Sequence, residues 1–172
     1  MAHTTDHHHI YDNSMRGRAG PTIDRCADVE ALTVRLYDVL RHEEGDALVD
    51  LLSERAETIF VGTDPEEWWV GRTEIDPALR DLLTTTGGID LVHGSPRAFR
   101  HESMAWLADC PSVLLPNGTA IPVRLTAVAL EEEAGWRFVQ VHLSIGVSND
   151  VPPEVVAVTS SRRIELPEID LP

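Results

Sequence analysis

Apolar residues at Cys26, Val29, Leu32, Leu36, Val39 and Leu40 recur at three- and four-residue intervals. That spacing predicts one face of a helix starting near Asp24 and ending at Gly45. A shorter helix follows at once, with Ala47, Leu48, Leu51 and Leu52 on its apolar side. The β-branched and aromatic content of ETIFVG, Glu57 to Gly62, predicts a strand, and TDPEE after it carries turn chemistry. A third helix is expected from about Thr73 to Thr84, with Ile75, Leu79, Leu82 and Leu83 inward. Pro77 is placed in its first turn, where a missing N–H costs little.

Beyond TTTGG the pattern turns to strands: IDLVHGSPRAF, SMAWLAD, SVLLP, AIPVRLTAVAL and WRFVQVHLSIGV. Asn-Gly in PNGT suits the positive-φ positions of a tight hairpin, and EEEAG makes the next one. Helices first and then a meander of strands predict an α+β layer architecture, with three N-terminal helices packed on a strongly curved antiparallel sheet. Strict alternation along the last strand puts Trp136, Phe138, Gln140, His142 and Ser144 on one face. Arg137, Val139, Val141, Leu143 and Ile145 fall on the other. The first face mixes rings with polar tips, as a pocket lining does, and the second reads as core or partner interface.

Residues 1–20 are polar and aperiodic and read as a disordered arm, while the proline-containing stretch 148–172 reads as an extended tail. The folded domain is expected between them, over 21–147. No apolar run approaches the roughly 20 residues of a membrane-spanning helix, and the N-terminus lacks the features of a secretory signal. A cytoplasmic chain is therefore expected. Cys26 and Cys110 fit that compartment and are read as small core residues.

The net charge of −15 argues against nucleic acid and against an anionic membrane surface as partners. All 14 basic residues are arginine. Without lysine, Schiff-base chemistry by this chain is excluded. No phosphate loop, Ser-His-Asp order, HExxH or zinc spacing occurs, so the sequence calls for no cofactor. The histidines at His3 and His7 to His9 lie on the arm and preorganise no metal site.

The strongest candidate base is His142, with Gln140 and Ser144 beside it on the predicted pocket face. Asp64, Glu66 and Glu67 offer a carboxylate near Trp68 and Trp69, although Asp64-Pro65 equally starts a turn. In an extended stretch Trp68 and Trp69 point opposite ways, so one ring walls a pocket and the other packs outside. His93, Arg97, His101, Trp106, Asp109 and Arg124 fall on strands or their edges. Arg124, flanked by Val123 and Leu125, needs a carboxylate such as Asp109, or an anionic ligand. The candidate catalytic groups are thus His142 and Asp64, and the candidate ligand-binding set is Trp68, Trp69, Trp106, Arg124, Trp136, Gln140 and Ser144.

Three stretches carry a family resemblance: GDALVDLLSERAETIFVGTDPEEWWVGRTEI, AWLADCPSVLLPNGTAIPVRLTAV and GWRFVQVHLSIGV. Over about Asp24 to Val147 the chain resembles the SnoaL-like branch of the nuclear transport factor 2-like superfamily. The resemblance implies a cone, in which a bent sheet wraps a long helix and leaves a pocket in its mouth, and which usually dimerises through the sheet. Members include ketosteroid isomerases, polyketide cyclases and dehydratases beside proteins that only bind or assemble. In the isomerases the base is an aspartate after the first strand; the matching position here is Gly62, with Asp64 two residues on. Their oxyanion tyrosine falls one residue from Tyr37. The leading expectation is a domain that binds a small, mostly apolar ligand in the cone and forms a homodimer through the sheet. The alternatives are an isomerase, cyclase or dehydratase using His142 or Asp64 as base, and a regulatory or assembly module.

Overall fold

The computed structural model describes residues 22–146; the expected arm and tail lie outside them. A two-residue strand, β1 (Asp24–Arg25), precedes α1 (Ala27–Arg41), so the first helix begins later than its apolar spacing suggested. Arg25 and Glu30 join the two elements through paired hydrogen bonds of 2.7 and 2.9 Å. The hydrogen bond and charge of Arg25 hold the Glu30 carboxyl below the usual carboxylate range. Helix α2 (Gly45–Val49), strands β2 (Ile59–Val61) and β3 (Trp68–Val70), and helix α3 (Arg72–Thr86) follow. Helix α3 starts one residue earlier than expected, and Pro77, its sixth residue, lies in the second turn and not the first.

Six more strands follow among the described residues: β4 (Leu91–Val92), β5 (Arg97–His101), β6 (Met104–Asp109), β7 (Ser112–Leu114), β8 (Ala120–Glu132) and β9 (Gly135–Ile145). The single strand expected over IDLVHGSPRAF is two, parted at His93, whose φ of 61° is left-handed. Both expected hairpins are present. Leu114 pairs Ala120 across PNGT, with Gly118 at φ 81°, and Glu132 pairs Gly135 across the second turn.

The sheet runs β1-β5-β6-β8-β9-β2-β3, with β4 and β7 continuing from β8. Its neighbours are antiparallel except β2 and β9, which are parallel. The cause is local. After α2 the chain lies along β9, where Ser53 N–H donates to the Phe138 carbonyl and Phe138 N–H to that of Leu51. It therefore enters β2 already running in the direction of β9.

The three helices cover the concave face. Ala98, Ala105, Ala127 and Ala129, each at most 2% exposed, keep that face low beneath α1. Val29, Leu36 and Leu40 of α1, Leu48 of α2, and Ile75, Leu79 and Leu83 of α3 meet Phe138 and Val141 there in one continuous core. Cys26 joins this core, whereas Cys110 is exposed, contrary to the expectation for it.

Candidate functional site

The site follows from how β9 is built. Val128 of β8 stands opposite Gln140 and Ala129 opposite Phe138, which leaves Val139 unpaired as a β-bulge. One extra residue reverses the facing of everything after it. Trp136, Phe138, Val141 and Leu143 therefore share the concave side, while Gln140, His142 and Ser144 turn to the convex side. The aliphatic and mixed faces of simple alternation are each split at Val139.

Beneath Leu143 and Phe60 the concave face and helices border a half-open cavity of about 700 Å³. Its walls come from the end of α1 (Leu40), α3 (Leu79, Leu82), the segment leading into β4 (Ile89, Leu91), and β7 with its hairpin (Val113, Leu115). Charged groups on the wall are Arg41, Glu67 and Asp90. Arg41 Nε donates to Asp90 Oδ1 at 2.6 Å, and its Nη2 to the Leu91 carbonyl at 3.4 Å. Glu67 arrives from the turn before β3, and its Oε2 accepts the Asp64 N–H at 3.0 Å.

Nine candidates named from the sequence are dispersed. His142, Gln140 and Ser144 are half-buried on the convex face, beside Thr126, Val128 and Arg124 of β8. Arg124 is exposed there and cannot meet Asp109, which pairs with Leu125 and so faces inward. Trp106 is on the same outer face, its ring tilted against Phe99 at 6.4 Å. Trp136 is core beneath the start of α1, 8% exposed, with the Arg100 guanidinium 5.3 Å from its ring centre. Asp64 is exposed in the turn, where its Oδ1 accepts the Glu66 N–H at 2.9 Å. Trp68 and Trp69 do point opposite ways. Trp69 packs on Phe60 at 5.9 Å behind the cavity wall, and Trp68 shares the convex side with Val61. None of the nine lines the cavity.

Sequence reasoning did name Glu67, but only as one of three acids in a turn. The missed signal is Gly62. A Cβ there would come within 2.7 Å of the Glu67 carboxyl carbon, so the bare glycine lets this side chain fold back over the strand end.

Asp109 has a separate role. Its Oδ2 accepts the Tyr37 hydroxyl at 2.8 Å, and its Oδ1 accepts the N–H groups of Ser95 and Cys110 at 3.0 and 2.7 Å. Burial first, and then the hydrogen bond to Asp109, push the Tyr37 hydroxyl far above its ordinary pKa. This pair clamps α1 to the end of β6. Among the described residues no cluster of three or more His, Cys, Asp or Glu is placed to hold a metal ion.

Helices on a curved mixed sheet, with an apolar cavity between them, define an α+β cone of the nuclear transport factor 2-like class. Solved structures share it. An NTF2-like protein of unknown function from Pseudomonas putida matches with a TM-score of 0.61 at 9% identity, over 72% of this chain and 88% of its own. An NTF2-like-family protein from Streptomyces avermitilis, provisionally named a dehydratase, gives 0.61 at 16% identity over 71% and 96%. A provisionally named calcium/calmodulin-dependent protein kinase type II association domain from Thiobacillus denitrificans gives 0.57 at 18% over 69% and 94%. At such identities the likeness is one of fold. No curated protein matches the sequence. The SnoaL-like domain model matches residues 29–148, and the chain belongs to that family.

Proposed function

We propose that this chain binds a small, mostly apolar molecule in the cone cavity. The observation that carries the reading is the cavity itself: about 700 Å³, within the range of small-molecule sites, and walled chiefly by aliphatic side chains. An apolar guest would exchange water for contacts with Leu79, Leu82 and Leu143, at roughly 25 cal/mol per Å² of apolar surface removed from water. The enzymatic alternative, an isomerase, cyclase or dehydratase with His142 or Asp64 as base, has neither side chain on the cavity wall.

The same reading makes the protein a homodimer through the convex face. Phe99, Met104 and Trp106 are 42, 47 and 36% exposed on adjacent strands there, and Val128 and Leu130 extend the apolar stripe. Cys26 and Cys110, both free thiols, suit a reducing compartment such as the cytoplasm.

Native mass spectrometry of the purified protein, alone and with added n-decanol, tests the ligand reading. A retained mass that leaves on denaturation, or uptake of one decanol per chain, is the expected result. A chain that carries nothing and takes up no decanol overturns it.

A further inference from the structure

The cavity wall is apolar but not neutral. Of its three charged side chains, Arg41 and Asp90 satisfy each other, and Arg41 is also bonded to the Leu91 carbonyl. Glu67 is left as a carboxylate with no cation beside it among the described residues, its side chain accepting one hydrogen bond, from the Asp64 N–H. With no lysine in the chain, a cationic side chain from the protein has to be arginine or protonated histidine, and among the described residues none lines the cavity besides Arg41.

The inward set of Glu67 has a visible cause. Its carboxyl lies over Gly62, in space that any larger residue would claim, since a Cβ would stand 2.7 Å from the carboxyl carbon and 2.8 Å from the Glu67 Cβ. Gly62 and Glu67 both belong to the cavity wall. A half-buried carboxylate facing an apolar space, with no neutralising cation among the described residues, favours a guest that brings the opposite charge.

We infer that the ligand is a lipophilic amine, protonated at neutral pH, whose ammonium group pairs with Glu67 while its hydrocarbon body fills the space between α3 and Leu143. This rests on the apolar-cavity reading and names the chemical class it takes. A carboxylate ligand of equal length is disfavoured by the same charge. A neutral alcohol binds through its hydrocarbon alone.

Isothermal titration of the full-length protein with n-decylamine and decanoate below their micellar concentrations, and n-decanol below its solubility limit, separates the two ideas. The expected order is amine, alcohol, carboxylate, with the amine about ten- to a hundredfold tighter than the alcohol. Glu67→Gln should bring amine and alcohol to equal affinity while leaving the alcohol unchanged. Gly62→Ala, which keeps Glu67 but displaces its carboxyl, should erode the preference in the same direction. Equal binding of amine and alcohol to the unaltered protein, or a preference that survives Glu67→Gln, overturns the amine inference and leaves the apolar-cavity reading intact. Failure of all three probes to bind overturns both.

Discussion

Removing the Tyr37 hydroxyl, by Tyr37→Phe, should destabilise the fold by about 1.5–3 kcal/mol at neutral pH, the range for a hydrogen bond to a charged group. Asp109 Oδ2 loses its donor on a buried ring, while Oδ1 keeps the Ser95 and Cys110 N–H groups, so the carboxylate itself stays in place. No cavity is created, because the phenyl ring keeps its contacts at 7% exposure. The pH dependence is more specific. An unfolded tyrosine titrates near pH 10, whereas folded Tyr37 holds its proton well above that. Below pH 10 both states are protonated and the contribution is fully present. Above it the unfolded chain releases a proton that the folded chain retains, and stability falls by about 1.4 kcal/mol per pH unit. By pH 11.5 the unaltered protein should have lost about 2 kcal/mol that Tyr37→Phe cannot lose, so their stabilities converge. Urea unfolding followed by tryptophan fluorescence at pH 7, 9, 10.5 and 11.5 measures this, and the other tyrosine, Tyr11, cancels between the two proteins. Equal stability at pH 7, or a constant gap up to pH 11.5, would refute a buried, bonded Tyr37.

Phe138→Ala, at a fully buried ring beside the bulge, should cost about 3–5 kcal/mol in the same urea assay. Leu143→Asp should abolish decanol binding by calorimetry while His142→Ala leaves it unchanged, since the two neighbours face opposite sides of β9; loss of binding in His142→Ala would contradict the facing derived from the bulge. Trp106→Glu should abolish the proposed dimer in light scattering and leave a monomer that still unfolds cooperatively in urea, because the ring lies outside the core. Gly94→Ala should destabilise by more than about 1 kcal/mol, since a Cβ there would stand 2.9 Å from Asp109 Oδ2 and push on the Tyr37 ring.

The parts of this fold legible in the sequence are those set by local periodicity. Three- and four-residue spacing in Val29, Leu32, Leu36 and Leu40, or in Ile75, Leu79 and Leu82, marks the core face of a helix wherever the helix goes. Asn117-Gly118 marks a hairpin for an equally local reason. The parallel course of β2 beside β9 was not legible, because it depends on the Leu51 to Ser53 stretch bonding Phe138 across more than 80 positions of sequence. Above all, the facing of the candidates on β9 turned on one residue. Period-two counting is correct on each side of Val139 and wrong across it, since a bulge carries no residue signature beyond the valine itself. That slip moved His142, Gln140 and Ser144 into the pocket on paper and put Leu143 outside it. In the molecule the bulge does the reverse: it keeps the aromatic end of β9 under α1, hands the cavity an aliphatic wall, and delivers the polar residues to the face where Thr126 and Arg124 already lie. The one charge on the cavity wall that Arg41 and Asp90 do not account for comes from the β2–β3 turn, through the absence of a side chain at Gly62. A gap of that kind becomes informative only when the residue that fills it, Glu67, has been located in space.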